Sequence, residues 1–348
     1  MPKKIQVSSD NITWYTLPGN SGEVRNEAGE LVDTIFGQSY QSSEAGLITG
    51  SINANAYYKG FAGYIVTLAK GGTPVAMTAE PMVLVSGKTY IITATTKQFI
   101  DVNTVTNVFV TAVNQNANVE SINFVTGEVT FISSYTPGGA VTITGAYIPT
   151  TAIAKSRTFT LTQTTDVIDN TDIPTAKSNG GYRTYQPDGL KTVNLEIGGV
   201  YAVANGFLAA LQGRIPTYIL INPDNTSASV AKGLFKFSAQ GQSGDVGALE
   251  EETLSLRLNV PADPATAIPW KTPFAWKHTG ATTLSMAVQK TLDAWQNSTM
   301  IYVKYLWDGT TGFSGQATVT DVSLAGGLES MNTFTANFQL SGAMTVIP

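Results

Sequence analysis

FLAALQGRIPTYILINPD at residues 207–224 and TLDAWQNSTMIYVKYLWD at 291–308 align without a gap, 84 residues apart. Each reads as a short helical stretch, a polar break, an alternating strand and a turn aspartate. Gly233 and Gly315 then open the next strand, and ETLSLRL (252–258) stands beside NTFTANF (332–338). A second pair lies upstream. GLITGSINANAYY (46–58) and GLKTVNLEIGGVY (189–201) keep a constant offset of 143 and share the Gly-Leu opening, the alternation and the closing Tyr. ELVDTIFG (30–37) resembles DVIDNTDI (166–173) once a few loop residues are allowed. Self-similarity at fixed spacing is the mark of a repeated structural unit.

The complete unit occupies 151–262: strand, long loop and strand, then a helix and three strands. Its first half recurs at 1–75 and its second half at 265–348. The predicted layout is a discontinuous domain, 1–75 with 265–348, a second domain at 151–262, and a small β insertion at 76–150 that matches neither half. Within the insertion, ESINFVTGEVTFISS (120–134) alternates on both sides of Gly127, as a β-hairpin does. Other segments alternate with period two, among them VTITGAYI (141–148), TFTLTQT (158–164) and IYVKYL (301–306). Three stretches, 60–70, 203–213 and 288–297, carry helical spacing instead. The expected fold class is mainly β: two tandem β-sandwich domains with short flanking helices, plus the insertion.

Composition removes several functions. The 348 residues include 20 Lys+Arg against 25 Asp+Glu, a formal net charge of −5, one His and no Cys. Without Cys there are no disulfides, zinc-thiolate sites or Cys nucleophiles. The acidic balance argues against a protein whose task is to grip phosphates. Charged residues are 13% of the chain where about 25% is usual, and Thr, Ser, Asn, Gln and Gly take their place, residues suited to strands and turns. MPKKIQVSSDN has no apolar core of a signal peptide, and no run of 18 apolar residues suggests a membrane span.

The reactive-looking motifs read as structure. His278, the one imidazole, has no partner at motif spacing. GFSGQ (312–316) ends in Gln316 where a nucleophile elbow needs Gly. GQSGDVG (241–247) lacks the Lys and Ser/Thr of a phosphate loop. Asp166, Asp169 and Asp172 recur at spacing three, unlike a calcium loop. The expectation is a protein that is not an enzyme and has no cofactor or metal site.

Two features suit assembly. Glu250, Glu251 and Glu252 follow the glycine-rich stretch that carries Asp245, so a loop delivers carboxylates just before a strand. They serve either as a charged edge that blocks strand aggregation or as an acidic surface past which a polyanion moves without sticking. The long segments 19–45 and 165–188 read as loops with few charges and several aromatics, Phe36, Tyr40, Tyr182 and Tyr185. Loops of that length are functional or disordered as a rule. Here they are candidate arms that order against neighbouring subunits, with ordinary loop packing as the competing reading.

These residues resemble a known family, the major tail tube proteins of long-tailed (siphovirus-type) bacteriophages. The resemblance rests on GLITGSINANAYYKGFAGYIVTL (46–68), on ESINFVTGEVTF (120–131) with VTITGAYIP (141–149), on SGDVGALEEETLSLRLNVP (243–261), and on GQATVTDVSL (315–324) followed by NTFTANFQLSGA (332–343). It covers nearly the whole chain, in patterns of alternation and glycine placement and not in reactive residues. It implies tail-tube-type β-sandwich domains with a flanking helix and a long β-hairpin or loop reaching the next ring. It also implies six domains closing a ring around a channel for duplex DNA. With two domains per chain, three chains close that ring, a pseudo-hexameric trimer, and rings stack into the tube. A single domain per chain is usual in the family; were the repeat at 1–75 plus 265–348 not real, six chains would be needed. The implied partners are further copies of the chain, the tape-measure, tail-tip and terminator proteins, and DNA that passes without specific binding. Asp245, Glu250, Glu251 and Glu252 are the candidate lumen acids. The implied location is the virion, after synthesis in the bacterial cytoplasm. The alternatives are another tail ring component, a terminator or adaptor, or an extracellular carbohydrate-binding β-sandwich using Trp270, Trp276, Trp295 and Trp307.

Overall fold

The computed structural model describes residues 3–33, 42–57, 67–154, 156–172, 182–223, 229–245, 249–261, 265–269, 273–278, 284–327 and 330–348. The protein is mainly β, built of antiparallel sheets with short helices. It divides into two compact units, one of Met1–Tyr64, Thr160–Val193 and Thr282–Pro348, the other of Ile65–Phe159 and Asn194–Ala281.

In the first unit the strands Lys4–Ser8, Ile301–Leu306, Gly312–Gly327, Ser330–Leu340, Ser42–Tyr57 and Gly19–Asp33 lie side by side in that order. Ser330–Leu340 shows why they pair. Asn332, Phe334, Ala336, Phe338 and Leu340 are buried while the residues between them are exposed or half-buried, the period of two that a half-buried strand requires. The helix Met286–Gln296 packs on Lys4–Ser8 and Gly312–Gly327. It buries Val288, Thr291, Leu292 and Trp295, one face at helical spacing. The Ser285 hydroxyl accepts the Val288 amide at 3.2 Å and caps its start. At its end the Lys191 ammonium donates to the Gln296 carbonyl at 2.8 Å and lies over the Trp295 ring, where the helix dipole favours a cation.

The second unit contains a seven-stranded sheet ordered Val119–Asn123, Glu128–Phe131, Thr89–Ile92, Val75–Ser86, Val141–Tyr147, Asn107–Val110, Val113–Asn114. The hairpin across Gly127 is present, with Ile122 opposite Val129. Gly127 has φ +72° and its α-carbon faces Gln98 so closely that a Cβ would meet Gln98 backbone at 2.9 Å, so only glycine fits that turn. Residues 76–150 do not stand apart as a separate core. Ile92, Ile100, Ile122, Phe131 and Ile143 share one apolar cluster with Tyr218, Leu234, Ile268 and Ala275. Tyr218 ties the two sheets: its hydroxyl donates to the Ile100 carbonyl at 2.6 Å and accepts the Val102 amide at 3.3 Å.

The second sheet of this unit includes Thr217–Asn222, Ser229–Ser243, Glu251–Leu258 and Lys191–Val200, paired in that order. Its register matches the first unit's residue for residue. Ile219 faces Gly233 as Val303 faces Gly315. Leu195 faces Leu256 as Ile52 faces Phe338, and Ile197 faces Leu254 as Ala54 faces Ala336. A β-bulge falls between Phe237 and Ala239 in one sheet and between Val319 and Asp321 in the other. The extra residue of each bulge does the same thing. Ser238 donates its hydroxyl to the Ser255 carbonyl at 3.0 Å, and Thr320 donates to the Asn337 carbonyl at 3.2 Å.

The structure corrects three expectations. Segment 19–45 is not an irregular loop: Gly19–Asp33 and Ser42–Tyr57 form a hairpin paired from Gly19 with Ala56 to Asp33 with Ser42. Helical spacing over 60–70 does not hold at its end, since Thr67–Gly71 is a strand between Thr217–Asn222 and Thr150–Ala152; residues 58–66 lie outside the described residues. In 165–188, Ile168–Asp169 pairs with Tyr185–Gln186.

Phe338→Ala should lower stability by about 3–5 kcal/mol, the range for emptying a buried aromatic site. Asn337→Ala, one residue away on the exposed face, should stay within about 0.5 kcal/mol. Urea unfolding of both variants checks this, and a larger loss from Asn337→Ala would mean that the strand faces the other way.

Candidate assembly surfaces

The hairpin of the first unit has two different halves. Near its base Ile52, Ala54 and Ala56 are buried against the sheet. Farther out, Glu23, Arg25, Asn26, Glu27 and Ala28 are all exposed, and Arg25 pairs with Glu27 in solvent. Consecutive exposed residues mean that both faces of the ribbon look outward. A strand of 15 residues extends about 50 Å, while the next strand, Ser330–Leu340, pairs with Ser42–Tyr57 only over Gly50–Tyr57. Isolated two-stranded ribbons are marginal in water. Phe36 and Tyr40, the arm aromatics expected from sequence, lie outside the described residues.

Tyr182 and Tyr185 lie beside the arm and not on a free loop. Tyr182 bridges Ile48 in parallel, and the Arg183 amide donates to the Ile48 carbonyl at 2.9 Å. The Tyr185 amide donates to the Ser341 hydroxyl at 2.8 Å, and the Ser341 hydroxyl returns a bond to the Tyr185 carbonyl at 3.2 Å. Arg183 pairs with Asp169. Partial burial works to raise the Asp169 pKa, but bonds from Thr171 and the Arg183 charge prevail and lower it. Burial, and then the Asp169 charge, raise the Tyr185 phenol. Both tyrosines are half-buried, and they brace the arm.

The four acidic residues do not share one surface. Asp245, Glu250 and Glu251 are exposed. Glu252 is 5% exposed and lies on the face of Leu254 and Leu256, because side chains alternate along Glu251–Leu258. In register it stands where the other sheet has Phe334: Glu252 faces Gly199 and Gln242, and Phe334 faces Ala56 and Leu324. Gln240 Nε2 donates to its carboxylate, the partner that a buried charge requires.

One surface had no signal in the periodicity. The helix Phe207–Gln212 buries only Phe207 through its own residues, while Val203, Leu208 and Ile215 around it are exposed at 77%, 46% and 56%. The run VANGFLAALQGRIP shows helical apolar spacing, but nothing in it says that the apolar side faces out.

The His278 Nδ1 lies 2.8 Å from the hydroxyl of Ser229, its fully buried cross-strand partner, and its ring stacks on Trp276. GFSGQ lies within the strand Gly312–Gly327. Among the described residues no group of three His, Cys, Asp or Glu is spaced to hold a metal ion. Trp276 and Trp295 are core residues, each 4% exposed, and Trp307 packs edge-on against Phe313; Trp270 lies outside the described residues.

No protein-family model matches the chain, and no curated protein matches it. Among solved structures it is similar to a chain of the virion of a native gene transfer agent particle, with 15% identity and a TM-score of 0.29 over 38% of this chain and 89% of that one. It is similar to a chain in the tail of an empty gene transfer agent particle with C6 symmetry, with the same identity and TM-score over 38% and 87%. At that TM-score neither likeness bears on fold or function.

Gln240→Ala should destabilise the second unit by about 1–3 kcal/mol, because it strands the Glu252 carboxylate without a donor. The double variant Gln240→Ala with Glu252→Leu should recover most of that loss. Urea unfolding measures both, and a neutral Gln240→Ala would show that the carboxylate is satisfied elsewhere.

Proposed function

We propose that this chain is the repeated subunit of a long-tailed phage tail tube, a structural virion protein that stacks as rings around a DNA channel. The observation that carries the reading is the shared register of the two sheets, bulge and hydroxyl bond included. A chain that holds the same interaction surface twice supplies two of the six positions of a ring, so three chains close it. Head-to-tail contacts that close make rings, and stacking continues them into a tube. In this reading 1–75 with 265–348 forms one tube domain and 151–262 the other, with 76–150 as a β addition that shares the core of the second.

Each surface then has a task. The Gly19–Asp33 and Ser42–Tyr57 arm packs into the adjacent ring, with Tyr182 and Tyr185 held beside it. The apolar residues around Phe207–Gln212 suit burial in a subunit contact. Asp245, Glu250 and Glu251 face the channel. Non-specific DNA affinity grows with the number of Lys/Arg–phosphate contacts, so an acidic wall lets DNA pass. Glu252 is part of the interior and not of that wall. The tube ends meet tape-measure, tip and terminator proteins, and the protein is made in the host cytoplasm before it joins the virion.

Negative-stain electron microscopy of the concentrated, aged protein should show tubes or stacked rings with an open channel. A variant lacking residues 32–42 should remain unassembled at the same concentration; normal tubes from it would reject the arm. Asp245→Asn, Glu250→Gln and Glu251→Gln together should leave assembly intact, and failed assembly would make these residues contacts instead of channel lining. A chain that never assembles and scores on a glycan array would replace the whole reading with a carbohydrate-binding one.

A further inference from the structure

Lys232 is buried in the second unit, 5% exposed, on the strand Ser229–Ser243 between Leu220 and Ala275 of its neighbours. Its Nζ lies 2.9 Å from Oε1 of Gln98 and over the Phe99 ring, 5.3 Å from the centroid. Among the described residues it makes no ion pair. Gln98 is equally enclosed, at 5% exposure, and its Nε2 donates to the Ile92 carbonyl at 3.1 Å. That bond fixes the amide plane and turns the carbonyl side toward the lysine, while Gly127 closes on the Gln98 backbone from behind.

The charged groups facing Lys232 are Glu128 and Lys277. Glu128 accepts the Thr126 hydroxyl at 2.9 Å and stands 3.8 Å from the Lys277 ammonium. Burial, then repulsion from Lys277, outweigh the Glu128 charge and lower the Lys232 pKa to about 8. About a tenth of this side chain is therefore free amine near neutral pH, and free amine is the nucleophilic form.

A primary amine and a primary carboxamide held in contact and away from water are the reactants of amide exchange, and Glu128 is the carboxylate whose charge acts on the amine. We propose that Lys232 and Gln98 become joined by a self-catalysed isopeptide bond, with Glu128 as the proton carrier. The Lys232 Nζ lone pair adds to Cδ of Gln98, and Oε1 takes the negative charge. The Glu128 carboxylate accepts a proton from Nζ and returns it to Nε2. The Cδ–Nε2 bond then breaks, Oε1 recovers its double bond, and one ammonia leaves. The product is a secondary amide between Nζ and Cδ, with no oxidant, reductant or further reactant involved. Holding the reactants in contact supplies the effective concentration that the uncatalysed exchange lacks.

The cross-link spans 134 residues of sequence. It ties the segment that precedes the Gly127 hairpin to the central strand of the other sheet. A covalent tie across so long a loop restricts the unfolded chain, so the second unit should resist unfolding more than its packing alone explains. The inference rests on chemistry inside one unit and does not depend on the tail tube reading.

Mass spectrometry of the full-length wild-type chain in denaturant tests it. The intact mass should be one ammonia below the mass of the sequence, and a digest should contain a branched peptide joining the Gln98 and Lys232 fragments. A full mass with both fragments linear would overturn the proposal. Lys232→Met should run at full mass; if it still lacks one ammonia, the loss arises elsewhere and the proposal is wrong. Glu128→Gln should slow cross-linking by about 10²–10⁴-fold, the usual worth of a positioned proton carrier, and linking at the wild-type rate would remove Glu128 from the step.

Discussion

Phe338 is fully buried between Val319 on one neighbouring strand and Ile52 on the other, and the rest of its unit is positioned by that pairing. Side chains alternate with a period of two, so a slip of one residue would turn Phe334, Ala336, Phe338 and Leu340 toward solvent. The bulge after Val319, closed by the Thr320 hydroxyl on the Asn337 carbonyl, makes such a slip harder. Leu256, between Phe237 and Leu195, holds the same place in the second unit, with the bulge and the Ser238 hydroxyl beside it. One packing solution thus appears twice in one chain.

From that fixed register the surfaces follow. The strand Ser42–Tyr57 is held at its base by Phe334 and Phe338, and its outer part carries the ribbon beyond the sheet. Arg25, Asn26, Glu27 and Ala28 of Gly19–Asp33 are exposed, and Tyr182 lies beside the paired strand at Ile48 while Tyr185 is bonded to Ser341. At the other sheet the register decides which glutamates meet solvent. Glu251 points out and Glu252 points in, because a strand sends neighbours to opposite faces and Glu252 has the parity of Leu254 and Leu256.

Much of this was legible wherever one face of a segment is buried. The spacing of 143 between Ile52 and Leu195 and of 84 between Val303 and Ile219 can be read in the letters, and the ladders keep both. The last strand was less legible. Matching ETLSLRL to NTFTANF sets Leu256 against Ala336, whereas the ladders set Leu256 against Phe338, two residues on. A shift of two keeps every side chain on its own face, so alternation alone cannot detect it. The arm was illegible for the opposite reason: Arg25, Asn26, Glu27 and Ala28 are all exposed, so the stretch has no apolar period and reads as loop. Thr67–Gly71 completes an apolar run that fits helix or strand equally well until the edge of Thr217–Asn222 decides it. The inward side of Glu252 was legible in the alternation it shares with Leu254 and Leu256, but its donor was not, because Gln240 lies 12 residues away on another strand.

The central claim is that each chain supplies two equivalent domains to a ring. The most direct test is the mass of one isolated ring, determined by native mass spectrometry or mass-per-length microscopy and divided by the mass of the chain. The account predicts three chains per ring, arranged with six-fold pseudo-symmetry. A ring of six chains would contradict it, because the second sheet would then repeat a register without repeating a ring position.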